Sequence, residues 1–346
     1  MEYVLVTGGL GFIGSHICVE LLQQNYNIIV IDNLSNSKIE IRNQINKITN
    51  KKFIFYNFDI CDNLSLNKIF KIFTITSIIH LAGLKSVNES ISDPLLYYDT
   101  NITSTINLLK NINKYKIKKF IFSSSSTVYG SQLDMPLYET NKTGENITNP
   151  YGKSKYMIEE IISDFSKTSE CKFIILRYFN PIGAHSSGLI GENPNNIPNN
   201  LMPYILRVVS GDYKELKIYG NNYNTPDGTC VRDFIHVVDL AKAHIKSLEY
   251  NNINNIETFN IGTGKGTSVI ELINTFIKVN QVDIPYVFDK KRDGDLPISF
   301  TNTDKANKLL NWYAEKNIND MCIDSYNFIK INKAQEKVAS NSTSIE

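Results

Sequence analysis

The chain has no run of 18 apolar residues, which excludes a membrane-spanning helix of ordinary kind. Its N-terminus enters the strand-like run Met1-Glu2-Tyr3-Val4-Leu5-Val6 at once. No basic segment leads into an apolar one, so no secretory signal is visible and a cytoplasmic location is expected. Neither sign of charge is in excess: 36 Lys and Arg face 35 Asp and Glu, leaving +1. That balance speaks against a nucleic-acid protein working through a strong basic field. The five cysteines, Cys18, Cys61, Cys171, Cys230 and Cys322, are scattered and form no C-x-x-C pair. Neither a disulfide framework nor a cysteine zinc site fits them, and reduced thiols are expected. The five histidines form no H-x-H or H-x-x-x-H pair, so no metal site is expected either. What the chain does have is 42% hydrophobic and 21% charged residues over 346 positions. That suffices for a sizeable core in one large α/β domain or two lobes.

The first half alternates strand-like and helix-like segments. Apolar runs occur at 4–6, 27–31, 53–58, 77–81, 119–123 and 173–176. Between them, 12–22, 101–114 and 151–167 suit helices, with Ile13, Ile17 and Leu21 spaced four apart on one face. Strands apolar throughout and separated by helices predict a parallel sheet covered on both sides, a doubly wound, Rossmann-like α/β fold. After about Asn180 the texture changes to a loop rich in Pro, Gly and Asn, then to short helices and strands. The expected division is a dinucleotide-binding domain over 1–180, to which some later strands return, a smaller mixed α/β lobe over 181–332, and a polar, frayed tail over 333–346.

The first strand runs into Thr7-Gly8-Gly9-Leu10-Gly11-Phe12-Ile13-Gly14. Glycines here permit a tight turn and close approach of backbone to a pyrophosphate, and the following helix offers free N–H groups at its positive end. The string alone is weak. Its context strengthens it, because a strand precedes, a helix follows, and the second strand ends in Asp32, 18 residues after Gly14. A carboxylate there can bind both adenosine ribose hydroxyls and repels a 2′-phosphate, which favours NAD over NADP.

The fifth strand ends in Ser123-Ser124-Ser125-Ser126-Thr127, and Asn149-Pro150-Tyr151-Gly152-Lys153-Ser154-Lys155 follows later. Asn149 suits an N-cap and Pro150 the first helical position, which puts Tyr151 and Lys155 four apart on one helical face. A phenol with a pKa near ~10 is a poor base at neutral pH. A neighbouring ammonium and an oxidised nicotinamide would both favour the phenolate. Lowering that pKa by roughly three units requires about 4 kcal/mol, within reach of two charges in a partly dry site. A serine at the strand end could bond the same substrate oxygen and relay its proton. A bare Tyr-x-x-x-Lys pair is usually a solvated helix face; the glycine turn, Asp32 and the serine-ended strand decide against that here.

With these features the chain resembles the extended short-chain dehydrogenase/reductase family, and within it the UDP-hexose 4-epimerases. The similarity spans about residues 1–312. It rests on His80-Leu81-Ala82-Gly83-Leu84-Lys85-Ser86-Val87, Arg177-Tyr178-Phe179-Asn180-Pro181-Ile182-Gly183-Ala184-His185, Asn199-Asn200-Leu201-Met202-Pro203-Tyr204 and Asp227-Gly228-Thr229-Cys230-Val231-Arg232-Asp233-Phe234-Ile235-His236-Val237. The resemblance implies an NAD site lined by Gly8, Gly11, Phe12, Ile13, Gly14, Asp32, Asn33, Leu34, Ser35, Asn36, Ser37, Asp59, Ile60, Leu81, Ala82, Gly83, Lys85 and Phe179. It implies Ser125, Tyr151 and Lys155 as the catalytic group, which also meets NAD. It implies that Asn180, Asn200, Leu201, Lys217, Tyr219, Arg232, Arg292 and Asp295 hold the UDP part, with Lys85, Ser125 and Tyr151 at the sugar.

The activity so implied is NAD-dependent inversion at C4 of UDP-glucose and UDP-galactose, through a transient 4-keto sugar and reversible hydride transfer. A homodimer through the helices near 101–114 and 151–167 is implied as well. Nucleotide-sugar 4,6-dehydratases of the same superfamily carry an Asp-Glu pair where this chain reads Ser126-Thr127, and so lack support here. A non-catalytic NAD-binding protein would need neither the Tyr-Lys pair nor the diphosphate anchors. The resemblance also places Ser299 against the sugar. Some relatives carry tyrosine there, others a small residue, and serine leaves room for an acetamido group. Activity on the UDP-N-acetylhexosamine pair is therefore expected too.

Overall fold

A computed structural model describes residues 1–343 except 133, 195–197, 199, 252, 253 and 293, with side chains through 334. The first half lays down β1 (Glu2–Thr7), α1 (Phe12–Gln23), β2 (Ile28–Ile31), α2 (Glu40–Thr49), β3 (Ile54–Tyr56), α3 (Asn63–Ile72), β4 (Thr74–His80), α4 (Val87–Ser92), α5 (Pro94–Tyr115), β5 (Lys119–Ser125), α6 (Pro150–Ser166) and β6 (Lys172–Tyr178). The second half contributes β7 (Asn180–Ile182), α7 (Leu201–Val209), β8 (Leu216–Tyr219), β9 (Val231–Arg232), β10 (Phe234–His236), α8 (Val237–Glu249), β11 (Ile256–Ile261), β12 (Thr267–Ser268), α9 (Val269–Asn280), β13 (Tyr286–Asp289), β14 (Ile298–Ser299), α10 (Asp304–Leu310) and α11 (Ile318–Thr343).

The main sheet has seven strands in the order β11-β6-β5-β4-β1-β2-β3, all parallel. The order reverses at β1 and β4, and the βα loops at the carboxyl ends there form the crevice where such sheets bind ligands. Strand alternation explains the continuous apolar runs. Val4 and Val6 join one core with Ile17, Leu21 and Leu240, while Leu5 joins the opposite core with Ile69, Leu108 and Ile158. Helices α1 and α8 thus cover one face and α3, α5 and α6 the other, so the carboxyl-terminal parts of the central strands, such as Val4–Thr7 and Ile78–His80, are buried whichever way their side chains point. The predicted doubly wound fold is the observed one. Its boundaries shift mainly for α5, which begins seven residues earlier than the segment 101–114, because Pro94 occupies its first turn and the Asp93 carboxylate accepts from Leu96 N at 3.2 Å.

A third core lies apart from the sheet. Met202, Ile205, Leu216, Ile218, Leu272, Phe276 and Met321 pack together from α7, β8, α9 and α11. Three small sheets, β10-β7, β12-β9-β14 and β13-β8, border it. Strand β11, although late in sequence, pairs with β6 at the edge of the main sheet. The polar tail continues the backbone of α11 as far as Thr343; residues 344–346 lie outside the described residues. No helix among the described residues is long and apolar enough to cross a membrane, and none of their His, Cys, Asp and Glu gather into a group able to hold a metal ion.

Candidate active site

The glycine turn closes at the carboxyl end of β1. Gly8 adopts φ 70°, and a Cβ there would meet Ala82 N at 2.9 Å. A Cβ on Gly14 would lie 2.1 Å from the Gly8 carbonyl oxygen, so this position admits glycine alone. Gly11 differs: the Gly8 oxygen at 3.3 Å is the only neighbour its Cβ would meet within 4 Å. It is also the N-cap of α1, which has no side-chain cap and no acid in its first turn. The leading N–H groups of α1 are thus left uncapped beside an open glycine face, a cradle for an anion.

Asp32 follows β2, largely buried. One oxygen accepts from Leu10 N at 3.0 Å, the other from Leu34 N at 3.0 Å and the Ser37 hydroxyl at 2.7 Å. These bonds fix the carboxylate against the glycine turn. Asn33 donates to Asp59 at 2.9 Å and accepts from Ser35 N at 3.1 Å, so the segments after β2 and β3 form one rim. Ile60 is packed into the α3 core, which leaves its backbone as the part able to meet a nucleotide. Phe12 packs edge-on to His16, Ile13 lies against the α1 core, and Phe179 is buried beside Val128 and Tyr129.

The loop after β4 carries Leu81, Ala82, Gly83 and Lys85. The reading of the sequence overlooked Asn101 of α5, which holds this loop. Asn101 accepts from Leu84 N at 2.8 Å and donates to Leu84 O at 3.1 Å and Ser154 Oγ at 3.1 Å.

Helix α6 starts as expected, with Pro150 in its first turn and the Asn149 side chain accepting from Gly152 N at 2.8 Å. It sets Tyr151 and Lys155 on one face beside Ser125 at the end of β5. Lys155 is buried, donates to the Ser123 carbonyl at 2.8 Å, and lies 4.8 Å from the Phe122 ring centroid and 6.0 Å from that of Tyr151. Burial lowers its pKa to about 8, with Glu159 opposing the shift. The Tyr151 pKa is subject to opposing effects. Burial raises it, while the Ser125 side chain and the charge of Lys85 pull it down. Lys155 keeps its charge and two further N–H donors beyond the bond to the Ser123 carbonyl, and Lys85 adds a second positive charge that acts on the phenol. Below the pair, Arg177 forks onto Glu159 at 2.6–3.2 Å, tying β6 to α6.

A second cluster gathers the diphosphate candidates. Arg292 binds Asp295 at 2.9 Å and lies 4.8 Å over the Tyr219 ring; Arg232 is 3.9 Å from the same Asp295. Ser299 is the register partner of Arg232 in the β14–β9 pair. Lys217 shares a strand face with Tyr219 and pairs with Asp289 at 3.3 Å. Asn180 opens β7, and Asn200 is the N-cap of α7, which Leu201 begins. A further contact was missed as well. Glu192, buried in the loop of Pro, Gly and Asn, accepts through one oxygen from Lys85 at 2.9 Å and from Asn200 at 3.2 Å. Only its being an isolated acid in that loop marked it.

A doubly wound sheet with this glycine turn, an acid after the second strand, and a Tyr-Lys pair beside a serine defines an enzyme class: NAD-binding enzymes of the short-chain dehydrogenase/reductase type. Residues 4–262 match the model of the NAD dependent epimerase/dehydratase family, and the chain belongs to that family. It is 47% identical over 325 residues to the UDP-glucose 4-epimerase of Bacillus subtilis, covering 93% of this chain and 95% of that one. It is 46% identical to the UDP-glucose 4-epimerase of Dictyostelium discoideum, over 96% of each. The fold superposes with TM-score 0.92 on the UDP-glucose 4-epimerase from Bifidobacterium longum, solved in complex with NAD+ and UDP, at 44% identity over 96% of this chain and 99% of that one. The chain is thus an NAD-dependent epimerase of UDP-hexoses, and the open cradle at Gly11 and α1 fits that cofactor.

Proposed function

We propose that Tyr151 is the acid/base that takes and returns the proton of the sugar 4-hydroxyl, with Ser125 bonding the same oxygen. The carrying observation is that α6 sets Tyr151 and Lys155 on one face at the carboxyl end of β5, with Lys155 Nζ 6.0 Å from the Tyr151 ring centroid and bonded to Ser123 O, and with the Ser125 side chain acting on the phenol. When bound, NAD supplies a reversible acceptor for the C4 hydride. Gly8, Gly11, Phe12, Ile13 and Gly14 hold its pyrophosphate region. Asp32 to Ser37, with Asp59 and Ile60, hold the adenosine. Residues 81–85, Phe179, Tyr151 and Lys155 hold the nicotinamide half.

On the substrate side, Arg232 and Arg292 neutralise the diphosphate as planar, permanently charged donors. Tyr219 and Asp295 take uracil and ribose; Asn180, Asn200, Leu201 and Lys217 complete the UDP seat. Anchoring at UDP leaves the hexose free to turn between the two hydride transfers, while remote binding energy retains the intermediate. Residues 1–180 form the NAD domain with β11 added, and 181–332 the UDP-sugar lobe. Ser299, lacking a ring, leaves space for an acetamido group, so the N-acetylhexosamine pair is also a substrate.

The assembly is a homodimer in which α5 and α6 meet their counterparts. Exposed Leu95, Leu96 and Met157 on these helices support that reading, and a mass measurement in solution tests it. Five free cysteines accord with a cytoplasmic location. The deciding experiment is Tyr151→Phe assayed with UDP-galactose. Turnover to UDP-glucose falls by about 10²- to 10⁴-fold while UDP-sugar binding persists. Near wild-type turnover removes Tyr151 from the reaction.

A further inference from the structure

Ser125 ends β5 and caps the short 3-10 turn Ser126–Tyr129 that follows, its Oγ accepting from Thr127 N at 3.2 Å. The Thr127 hydroxyl reaches the same oxygen at 3.0 Å, and among the described residues it bonds to Ser125 alone. A serine hydroxyl has two acceptor positions and one proton. The backbone N–H can only donate, so it fills one acceptor position. With the Thr127 hydroxyl donating, the second is filled as well. The Ser125 proton is then left over, and it is donated to no group among the described residues.

The turn that carries Thr127 is itself held. Val128 and Tyr129 are buried, and the Tyr129 hydroxyl donates to Asn260 Oδ1 at 2.6 Å while accepting from Arg177 at 2.9 Å. Gly144 N donates to the Val128 carbonyl at 2.9 Å. Thr127 also meets the first turn of α6. A Cβ on Gly152, the neighbour of Tyr151, would lie 3.2 Å from both Cβ and Oγ1 of Thr127. The Thr127 hydroxyl therefore sits between Ser125 Oγ and the helical turn that bears Tyr151.

We propose that Thr127 is a positioning residue for the epimerase reaction: its amide and hydroxyl occupy both acceptor positions of Ser125, so that Ser125 meets the sugar O4 only as a hydrogen-bond donor. This rests on Ser125 bonding that oxygen. A serine with a vacant lone pair could accept from the 4-hydroxyl and compete with Tyr151 for its proton. A serine with none cannot, so the proton passes directly between O4 and the Tyr151 oxygen. The Ser125 bond persists when O4 becomes the carbonyl oxygen of the 4-keto sugar, and a donor aimed at an oxygen that gains charge acts most strongly in the transition state. Accepting two bonds also polarises the serine O–H and makes it a stronger donor.

The test is kcat and KM for UDP-galactose in NAD-loaded enzyme, for Thr127→Val, Thr127→Ser, Ser125→Ala and the double variant Thr127→Val with Ser125→Ala. Valine keeps the shape and the amide bond and removes the hydroxyl. The expected result is a kcat lower by about five- to tenfold, the worth of one neutral hydrogen bond, with KM unchanged. Thr127→Ser, which returns the hydroxyl, recovers most of that loss. Ser125→Ala loses about 10²- to 10³-fold, and adding Thr127→Val to it costs nothing further, because the threonine acts through the serine. Retained NAD verifies that each variant is folded; if valine is not tolerated, Thr127→Ala carries the same expectation. A kcat at or above wild type in Thr127→Val, the outcome if Ser125 donated to Thr127 instead, overturns the proposal. So does a loss confined to KM, or a further loss in the double variant. Ser125→Ala alone separates the two levels: if it keeps wild-type kcat, the role of Ser125 fails; if it is impaired while Thr127→Val is not, only the role of Thr127 fails.

Discussion

Replacing Lys155 with methionine should stabilise the nucleotide-free protein while abolishing most of its activity. The ammonium sits in an apolar setting beneath Tyr151, and burial takes its pKa from 10.5 down to about 8. A depression of that size corresponds to about 3 kcal/mol at neutral pH, since each unit is about 1.4 kcal/mol. Methionine has nearly the same length and no charge to desolvate, but forfeits the bond to the Ser123 carbonyl, worth about 1 kcal/mol. The net expectation is a variant more stable by about 2 kcal/mol at pH 7. The pH dependence carries the sign. Between the folded pKa near 8 and the unfolded value of 10.5, the unfolded chain binds the extra proton, so wild-type stability rises with pH across that window. The variant has no such group, so its advantage should shrink from pH 8 upward, pass through zero and reverse to a deficit of about 1 kcal/mol above pH 10.5, where only the lost hydrogen bond remains. Equilibrium urea unfolding of both proteins at several pH values reads this difference directly, because all other titrations cancel. A variant less stable than wild type at pH 7, or a gap that stays constant with pH, refutes the reasoning.

Removing the guanidinium in Arg177→Met leaves Glu159 buried without its partner and should destabilise the fold by about 3–5 kcal/mol in chemical unfolding; Glu159→Leu added to it should recover much of the loss. Ser299→Tyr adds a ring that a packed site cannot absorb cheaply and should selectively depress kcat/KM for UDP-N-acetylgalactosamine while sparing UDP-galactose. Equal losses on both sugars, or no wild-type activity on the N-acetylated one, would dismiss the pocket reasoning.

Local rules carried much of this protein. Apolar runs such as Ile28–Ile31, separated by helical spacing, specified a parallel sheet covered on both faces, because only such strands can bury every side chain. Gly14 was legible because a Cβ cannot coexist with the Gly8 carbonyl one turn away. Asn149 and Pro150 marked the start of α6, since capping depends on neighbours within three residues. That phase put Tyr151 and Lys155 on one face. Contacts between distant segments were legible only in outline: a later strand was expected to return to the sheet, but not which one, nor its partner. β11 returns to the edge of β6 across almost 80 residues of chain, and Glu192 reaches Lys85 across 107. The pKa of Tyr151 belongs to the same group. Spacing put an ammonium four residues away, but the field at the phenol depends also on burial and on charges brought in from other segments. Burial raises the phenol's pKa against the neighbouring charges, and one of those charges, Lys85, comes from another loop. Sequence periodicity determines which elements form and which faces they bury, because those are interactions between near neighbours along the chain. The electrostatics of the site depend on distance through space, and the tertiary structure alone decides that.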